Sequence, residues 1–249
     1  MLSKNKIQLI KSLRTKKKRK ELGLFIVEGR KSVDELLSYF PCSLLFHTIE
    51  YVSDVAVAYK QQVSENELKT ISLLEQPQQV LAVFAMPENK QWSNTILSEQ
   101  LILVIDNIQD PGNLGTIIRV ADWFGIRHIV CSIGTVDAYN PKTIQATMGS
   151  IGRVAVYYTD MEVFFNTLPV GYPVYGTFIE GENMYQSDLQ QEALIVMGNE
   201  GNGISPLVQK YVTHKITIPN YPVNELAPES LNVAMATAIV CGEFRRRQF

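Results

Sequence analysis

Residues 101–106 read LILVID, a run with no polar side chain before its last position. A strand with one face in water alternates apolar and polar residues. A continuous apolar run instead needs cover on both faces, the condition of a strand inside a parallel sheet. From here on, such runs alternate with stretches of helical period. Strands are predicted over 101–106, 128–132, 154–158, 172–179, 193–197 and 214–218. Helices are predicted over 113–124, 141–147, 161–168, 205–211 and 230–247. This order implies an α/β domain over 101–249: a mainly parallel sheet with helices on both faces.

The first part of the chain reads as a separate small α/β domain over 1–90. Residues 1–20 carry apolar positions at helix-compatible spacing, with Ile7, Leu9, Ile10 and Leu13 able to dock one face. A short strand over 24–27 is broken by Gly29. Ser32, with Glu35 three residues on, has capping-box spacing for a helix to about Tyr39, which Pro41 stops. A strand over 44–49, a helix over 55–63 and a buried-type strand over 80–85 (VLAVFA) complete it. The polar stretch 87–98 has no clear period and places an interdomain linker at 91–100. Trp92, within it, can pack on either domain.

Composition bounds the class. The chain has 249 residues, 46% hydrophobic and 19% charged, an ordinary globular balance. No apolar run approaches the ~18–20 residues that span a bilayer, and the N-terminus has no signal-peptide core, so a cytoplasmic protein is expected. Cys42, Cys131 and Cys241 are widely spaced in apolar contexts and read as reduced thiols. His47, His128 and His214 are isolated, so no metal is expected. Net charge is −2, yet residues 1–20 hold nine Lys or Arg and no acid, and Arg245, Arg246 and Arg247 cluster at the other end. Like-charge clusters on an otherwise acidic chain point to a polyanionic partner. Lys16, Lys17, Lys18, Arg19, Lys20 and Arg30 are the candidate RNA contacts.

Three segments carry the chemistry, each after a predicted strand. Parallel α/β sheets bind ligands beyond the C-terminal strand ends, so the three can converge there. In Asp106–Arg119 (DNIQDPGNLGTIIR), Gly112 and Gly115 allow close backbone approach and Asn113 can cap the helix that follows. Arg119 lies six residues on, among apolar sequence neighbours, and calls for a carboxylate or phosphate partner. In Gly198–Ser205 (GNEGNGIS), glycines stand at the first, fourth and sixth positions. That is neither the dinucleotide fingerprint nor a phosphate-binding loop of the Walker type, which excludes the reductase and P-loop readings. Glu200 is either exposed and idle or aimed at a partner such as Arg119. In 218–232, prolines at 219, 222 and 228 exclude regular structure. Ser230 is a fair N-cap, and Asn232 suits the first turn only if its amide has a task.

Together these segments resemble the three motifs of the SpoU (TrmH-type) RNA ribose 2′-O-methyltransferases, a branch of the knotted SPOUT superfamily. Asn113, Gly115 and Arg119 match the first motif. Gly198, Glu200, Gly203 and Ser205 match the second; Ile218, Pro219, Ser230, Leu231 and Asn232 match the third. Residues 142–152 (KTIQATMGSIG) are similar to the family's segment before the fourth strand, and residues 24–37 to the opening of its substrate-binding domain. The run from Pro219 to Ser230 is longer than the common form, and Asn220 stands where Met is frequent.

The resemblance implies a C-terminal trefoil knot, an obligate homodimer through the C-terminal domain, and an RNA substrate, most consistent with large-subunit ribosomal RNA. It implies S-adenosylmethionine as cofactor, cradled by Gly198, Asn199, Gly201, Gly203, Ile218, Pro219, Leu226, Ser230 and Leu231. Thr177 and Phe178 would border the adenine or sugar. Asn113, Arg119, Glu200, Ser230 and Asn232 form the implied catalytic set, with Arg119 serving the partner's cofactor. The family proposal makes this Arg a general base. A guanidinium stays protonated, its pKa being above ~12, so a fixed positive charge beside the reacting oxygen is the easier role. A transfer RNA substrate, or a non-catalytic RNA-binding assembly factor of the same fold, are the alternatives.

Overall fold

The computed structural model describes residues 1–88, 92–98, 100–221 and 230–248. The chain divides into two compact units that do not follow chain order. The first comprises 1–89 with 137–153; the second comprises 90–136 with 154–249.

The first unit is built on a four-stranded sheet in the order β1-β4-β2-β3. Its strands are β1 (Leu24–Glu28), β2 (Cys42–His47), β3 (Lys60–Gln62) and β4 (Val80–Ala85). β4 runs antiparallel to β1 and β2, and β3 lies parallel to β2 at the edge. The VLAVFA run is central, with its first five residues buried, as a doubly covered strand requires. The predicted helix over 1–20 is two helices, α1 (Lys4–Ser12) and α2 (Lys16–Leu22). Thr15 adopts extended backbone and its hydroxyl accepts from Lys18 N, so the chain turns and starts a new helix. Ile10 and Leu13 are fully buried against Ile26, Phe46 and Leu68.

Two local expectations fail here for visible reasons. α3 (Arg30–Leu36) begins after Gly29, whose φ of +92° suits glycine, so Ser32 is buried inside the helix rather than capping it. No helix forms over 55–63. The helix is α4 (Glu65–Ile71), where Ser64 and Glu67 form a reciprocal capping box at 3.3 and 3.0 Å. The same sequence signal that misled at Ser32 was present and correct at Ser64.

Arg19 is the largest correction. It is 1% exposed. Its Nε and Nη2 donate to Asp137 Oδ2 at 3.0 and 2.6 Å, and its Nη1 donates to the carbonyls of Leu13 and Arg14, both at 2.9 Å. With its donors committed to the interior, Arg19 is not an RNA contact. It ties the α1–α2 turn to the returning segment 137–153. That segment adds the Tyr139 ring on Phe25 at 4.9 Å, α6 (Pro141–Thr147) on β1, and an Arg153–Glu35 ion pair. Gly149, at φ +95°, has no room for a Cβ because the Glu35 carboxylate fills that space.

The second unit is a six-stranded, wholly parallel sheet in the order β10-β8-β9-β5-β6-β7. In chain order these are β5 (Leu101–Ile105), β6 (His128–Ser132), β7 (Ala155–Thr159), β8 (Val174–Asn183), β9 (Ala193–Met197) and β10 (His214–Thr217). Every residue of β5 and β9 is buried, so both faces of the sheet's centre are covered. The helices are α5 (Pro111–Trp123), α7 (Met161–Asn166), α8 (Pro206–Gln209) and α9 (Val233–Arg246). Trp92 packs edge-on to Tyr157 and Phe164 at 5.5 and 5.1 Å, which places it in this unit.

The C-terminal arginines are structural rather than a free basic cluster. Arg246 and Arg247 both pair with Glu243, and Arg247 also donates to the carbonyls of Met184 and Ser187. Arg245 reaches the carbonyls of Phe124 and Gly125 beyond the end of α5. The hydrogen bond from Arg246 and the neighbouring Arg247 hold the Glu243 carboxyl down to about 2. A depressed carboxylate stabilises above its unfolded value, so this contribution is lost as pH falls from 4.5 towards about 2.

Arg19→Met keeps an apolar stem but leaves Asp137 buried without its cation. Removing one partner of a buried pair costs about 3–5 kcal/mol, so the urea midpoint is expected to drop accordingly. An unchanged midpoint would mean that Asp137 is satisfied without Arg19.

Candidate active site

From β5 the chain moves to β6 on one side of the sheet; from β9 it moves to β10 on the other. The two loops leaving these adjacent strands diverge and open a crevice, the topological switch point at which such sheets bind ligands. The first and second sequence segments are those loops.

Each begins from ordinary local physics. α5 starts at Pro111 with Asp110 as its N-cap; Asp110 Oδ1 accepts from Asn113 N at 2.8 Å. Asp110, not Asn113, caps the helix, which leaves the Asn113 amide free to act elsewhere. α9 starts at Val233 with Asn232 as its N-cap, its Oδ1 accepting from Ala234 N and Met235 N at 3.0 and 3.3 Å. Ser230 therefore lies ahead of the helix, exposed. The task expected of the Asn232 amide is visible: its Nδ2 donates to Asn113 Oδ1 at 3.0 Å. Asn113 Nδ2 in turn donates to Glu200 Oε1 at 2.7 Å. One chain of hydrogen bonds thus joins all three segments.

The loop carrying Glu200 closes on itself. Asn199 and Gly203 exchange two backbone hydrogen bonds at 2.9 Å, and Asn199 Oδ1 accepts from Gly201 N and Asn202 N. A Cβ on Gly198 would collide with the Gly203 backbone, and Gly203 sits at φ +66°. Two of the three glycines are therefore demanded by the loop's own closure. Asn199 Nδ2 also donates to the Asn107 carbonyl at 2.8 Å. Ser205 caps α8 with its hydroxyl, while its N–H donates to Asp106 Oδ2 at 2.8 Å.

Arg119 departs from expectation. Leu114, Ile117, Ile118 and Ala121 form the buried stripe of α5, and Arg119 projects from the opposite side into solvent. Its apolar sequence neighbours are not its spatial company. Among the described residues it has no hydrogen bond or ion pair, and Glu200 is directed to Asn113 rather than to Arg119.

The remaining site residues sit at the same edge, where β8, β9 and β10 end. Thr177 Oγ1 donates to the Val196 carbonyl at 3.1 Å. Pairing between β8 and β10 jumps from Gly176↔Lys215 to Glu182↔Ile216, so residues 177–181 bulge out of the ladder. Phe178 lies in this bulge with Lys215 Nζ 5.2 Å from its ring centroid. Ile218 and Pro219 are half-buried beyond β10; Leu231 is 52% exposed. Leu226 lies outside the described residues. In the first unit Lys16, Lys17 and Lys20 are exposed, Lys18 pairs with Glu21, and exposed Arg30 lies 3.7 Å from Asp34.

Other chemistries lack their groups. Burial pushes the Cys241 thiol up to about 12 and the Cys42 thiol to about 11, so neither offers a thiolate nucleophile at neutral pH. Among the described residues no cluster of three or more His, Cys, Asp or Glu is placed to hold a metal ion. Sequence reasoning passed over Asp106, Asn107 and Asp110. The signal for the first was an acid directly after a continuous apolar strand.

Known proteins give the same picture. Residues 100–242 match the SpoU rRNA methylase family, and residues 4–82 match the MRM3-like substrate binding domain. The Bacillus subtilis 23S rRNA (guanosine(2553)-2′-O)-methyltransferase RlmP is 33% identical over 96% of each chain. A TrmH-family protein from Porphyromonas gingivalis superposes with TM-score 0.88 at 41% identity over 99% of each chain. The S-adenosylmethionine-bound rRNA methyltransferase of Sinorhizobium meliloti superposes with TM-score 0.83 at 26% identity, covering 100% of this chain and 97% of that one. With its three motif loops meeting at the switch point and its sequence matched along nearly its whole length, this chain belongs to the SpoU rRNA methylase family and is an RNA methyltransferase.

Proposed function

We propose that this protein methylates a ribose 2′-oxygen of large-subunit ribosomal RNA, using S-adenosylmethionine. The observation that carries the reading is the hydrogen-bonded chain Asn232–Asn113–Glu200, which assembles three motif segments at one sheet edge. The residues there suit the cofactor. The Gly198–Gly203 loop offers backbone donors and acceptors, Ile218 and Leu231 offer apolar edges, and Thr177 and Phe178 line the neighbouring bulge. Gly201 and Asn199 complete that loop, and Pro219 and Ser230 belong to the third motif segment. When bound, the cofactor supplies an electrophilic methyl group on a sulfonium. A C-terminal trefoil knot is part of the same proposal.

The protein's own groups have the task of aligning the 2′-oxygen and lowering the cost of its deprotonation. Arg119 is unpaired among the described residues, so its guanidinium is available to a phosphate or to charge developing on the oxygen. It acts as a cation presenting a planar fork of donors. Asn113 and Glu200 hold the first two motif loops together, and Asn232, with Ser230 ahead of it, joins the start of α9 to them. RNA is gripped by the first unit through Lys16, Lys17, Lys18, Lys20 and Arg30, without Arg19. The cytoplasmic location expected from the sequence belongs to this reading.

A homodimer completes the proposal. Met235 and Ile239 stand 58% and 37% exposed along α9, and Leu231, 52% exposed, lies just ahead of the helix at the same four-residue spacing. Trp123, 85% exposed, ends α5, the helix packed against α9. A solvent-facing apolar stripe of this kind marks an interface. Arg119 would then serve the partner subunit's cofactor.

The direct test incubates the protein with methyl-labelled S-adenosylmethionine and unmodified total RNA, then digests ribosomal and transfer RNA separately to nucleosides. Labelled 2′-O-methyl nucleoside from ribosomal RNA is expected. Label in transfer RNA would replace the substrate class, and neither label nor cofactor binding would overturn the reading. Arg119→Lys keeps a charge but loses the planar fork; kcat is expected to fall about 100-fold with cofactor affinity kept. Near-normal turnover would remove Arg119 from its role. Met235→Glu puts a charge into the apolar stripe and is expected to shift the protein to a monomer in light scattering, with activity lost.

A further inference from the structure

We infer that Asp106 is the positioning residue for the methyl donor, acting through the Gly198–Ser205 loop without touching a reactant. This rests on the reading that the loop holds S-adenosylmethionine. Asp106 directly follows β5 and is 1% exposed. A carboxylate taken out of water is costly unless its oxygens are hydrogen-bonded. Both are: Oδ2 accepts from Ser205 N at 2.8 Å and Oδ1 from Asn107 Nδ2 at 3.1 Å. The Asp106 N–H itself donates to the Met197 carbonyl at 2.9 Å, at the end of β9.

Asn107 supplies the second tie. Its carbonyl accepts from Asn199 Nδ2 at 2.8 Å, and its N–H donates to Ser132 Oγ at 2.9 Å. It holds φ +58°, a conformation that Asn and Asp tolerate better than other non-glycine residues. Gly134 leaves room for the Asn107 side chain, since a Cβ there would meet Asn107 Oδ1. The loop is therefore fastened at its start, through Asn199, and at its end, through Ser205, to one dipeptide. That dipeptide opens the loop leading to Asn113. The backbone proposed to hold the donor and the helix carrying Asn113 and Arg119 share one brace, with a buried carboxylate as its centre.

Asp106→Asn tests the brace. Asparagine has one acceptor oxygen where the carboxylate has two, so one of the two donors must face an N–H. Asp106→Asn with Asn107→Asp restores the pattern. Asn at 106 accepts from Ser205 and donates to Asp at 107, which tolerates the positive φ and can accept from Ser132 Oγ as Asn107 Oδ1 does at 3.3 Å. In the full-length protein, the single variant is expected to raise Kd and KM for S-adenosylmethionine about tenfold. The melting temperature should fall by a few degrees, because a buried donor loses its acceptor; KM for RNA should stay unchanged, and the double variant should recover most of the donor affinity. Wild-type donor affinity in Asp106→Asn would overturn the inference. So would an equal rise in the KM for RNA, which would make Asp106 a general stabilising group rather than one serving the donor. If the wild-type protein bound no S-adenosylmethionine, the functional reading beneath the inference would fall first.

Discussion

β5 and β9 run side by side, parallel and buried along their whole length, and the chain leaves them in opposite directions. The rest of the site depends on that pairing. Five registered residue pairs, Leu101↔Ala193 to Ile105↔Met197, fix where each strand ends. A one-residue slip in such a pair would turn every side chain to the opposite face, so two apolar runs buried on both sides specify the register only through their ends. The polar residues that follow then make the difference. Asp106 takes the Ser205 N–H and the Asn107 carbonyl takes the Asn199 amide, and both hydrogen bonds require the register observed. The sheet sets the site, and the site in turn fixes the sheet's register.

Much of the architecture was legible because continuous apolar runs have few alternatives. The runs at 80–85, 128–132 and 193–197 became β4, β6 and β9 with unchanged limits. Helix starts were less legible, because several residues near one start could each act as cap. Asn113, Ser230 and Ser32 all had cap chemistry, yet Asp110, Asn232 and Gly29 hold those positions. The sequence names residues able to cap; the fold decides which oxygen reaches the open N–H groups. In the site, the meeting of Asn113, Glu200 and Asn232 followed from motif order and strand placement. The partner of Glu200 and the surroundings of Arg119 did not, because an arginine's company is set by helix face rather than by sequence neighbours.

Charge was the least readable property. Nine basic residues in the first twenty and three arginines near the end look alike in a sequence. Arg19, Arg245 and Arg247 are instead spent on main-chain carbonyls at turns and helix ends, where a forked donor satisfies several acceptors at once. A lysine ammonium has no such fork, and the side chains of Lys16, Lys17 and Lys20 are exposed. Arg30 and Arg119 are exposed while Arg19, between exposed Lys17 and Lys20 of the basic run, is buried, so clustering in the sequence does not separate structural cations from exposed ones.

The same reasoning explains why the chain across the site is built from asparagines. Asn232 must cap its own helix, which needs an acceptor, and reach Asn113, which needs a donor. Serine offers one hydroxyl for the two tasks, and aspartate could cap but not donate. Asn113 faces the same pair of demands in the opposite order, accepting from Asn232 and donating to Glu200. An aspartate there would set a second carboxylate against Glu200 and turn an attraction into a repulsion. Only the last member has no need to donate, and there the chain ends on a carboxylate. The donor direction therefore runs one way, from α9 through α5 to the loop after β9. A reversal of any single amide would leave two donors or two acceptors facing each other.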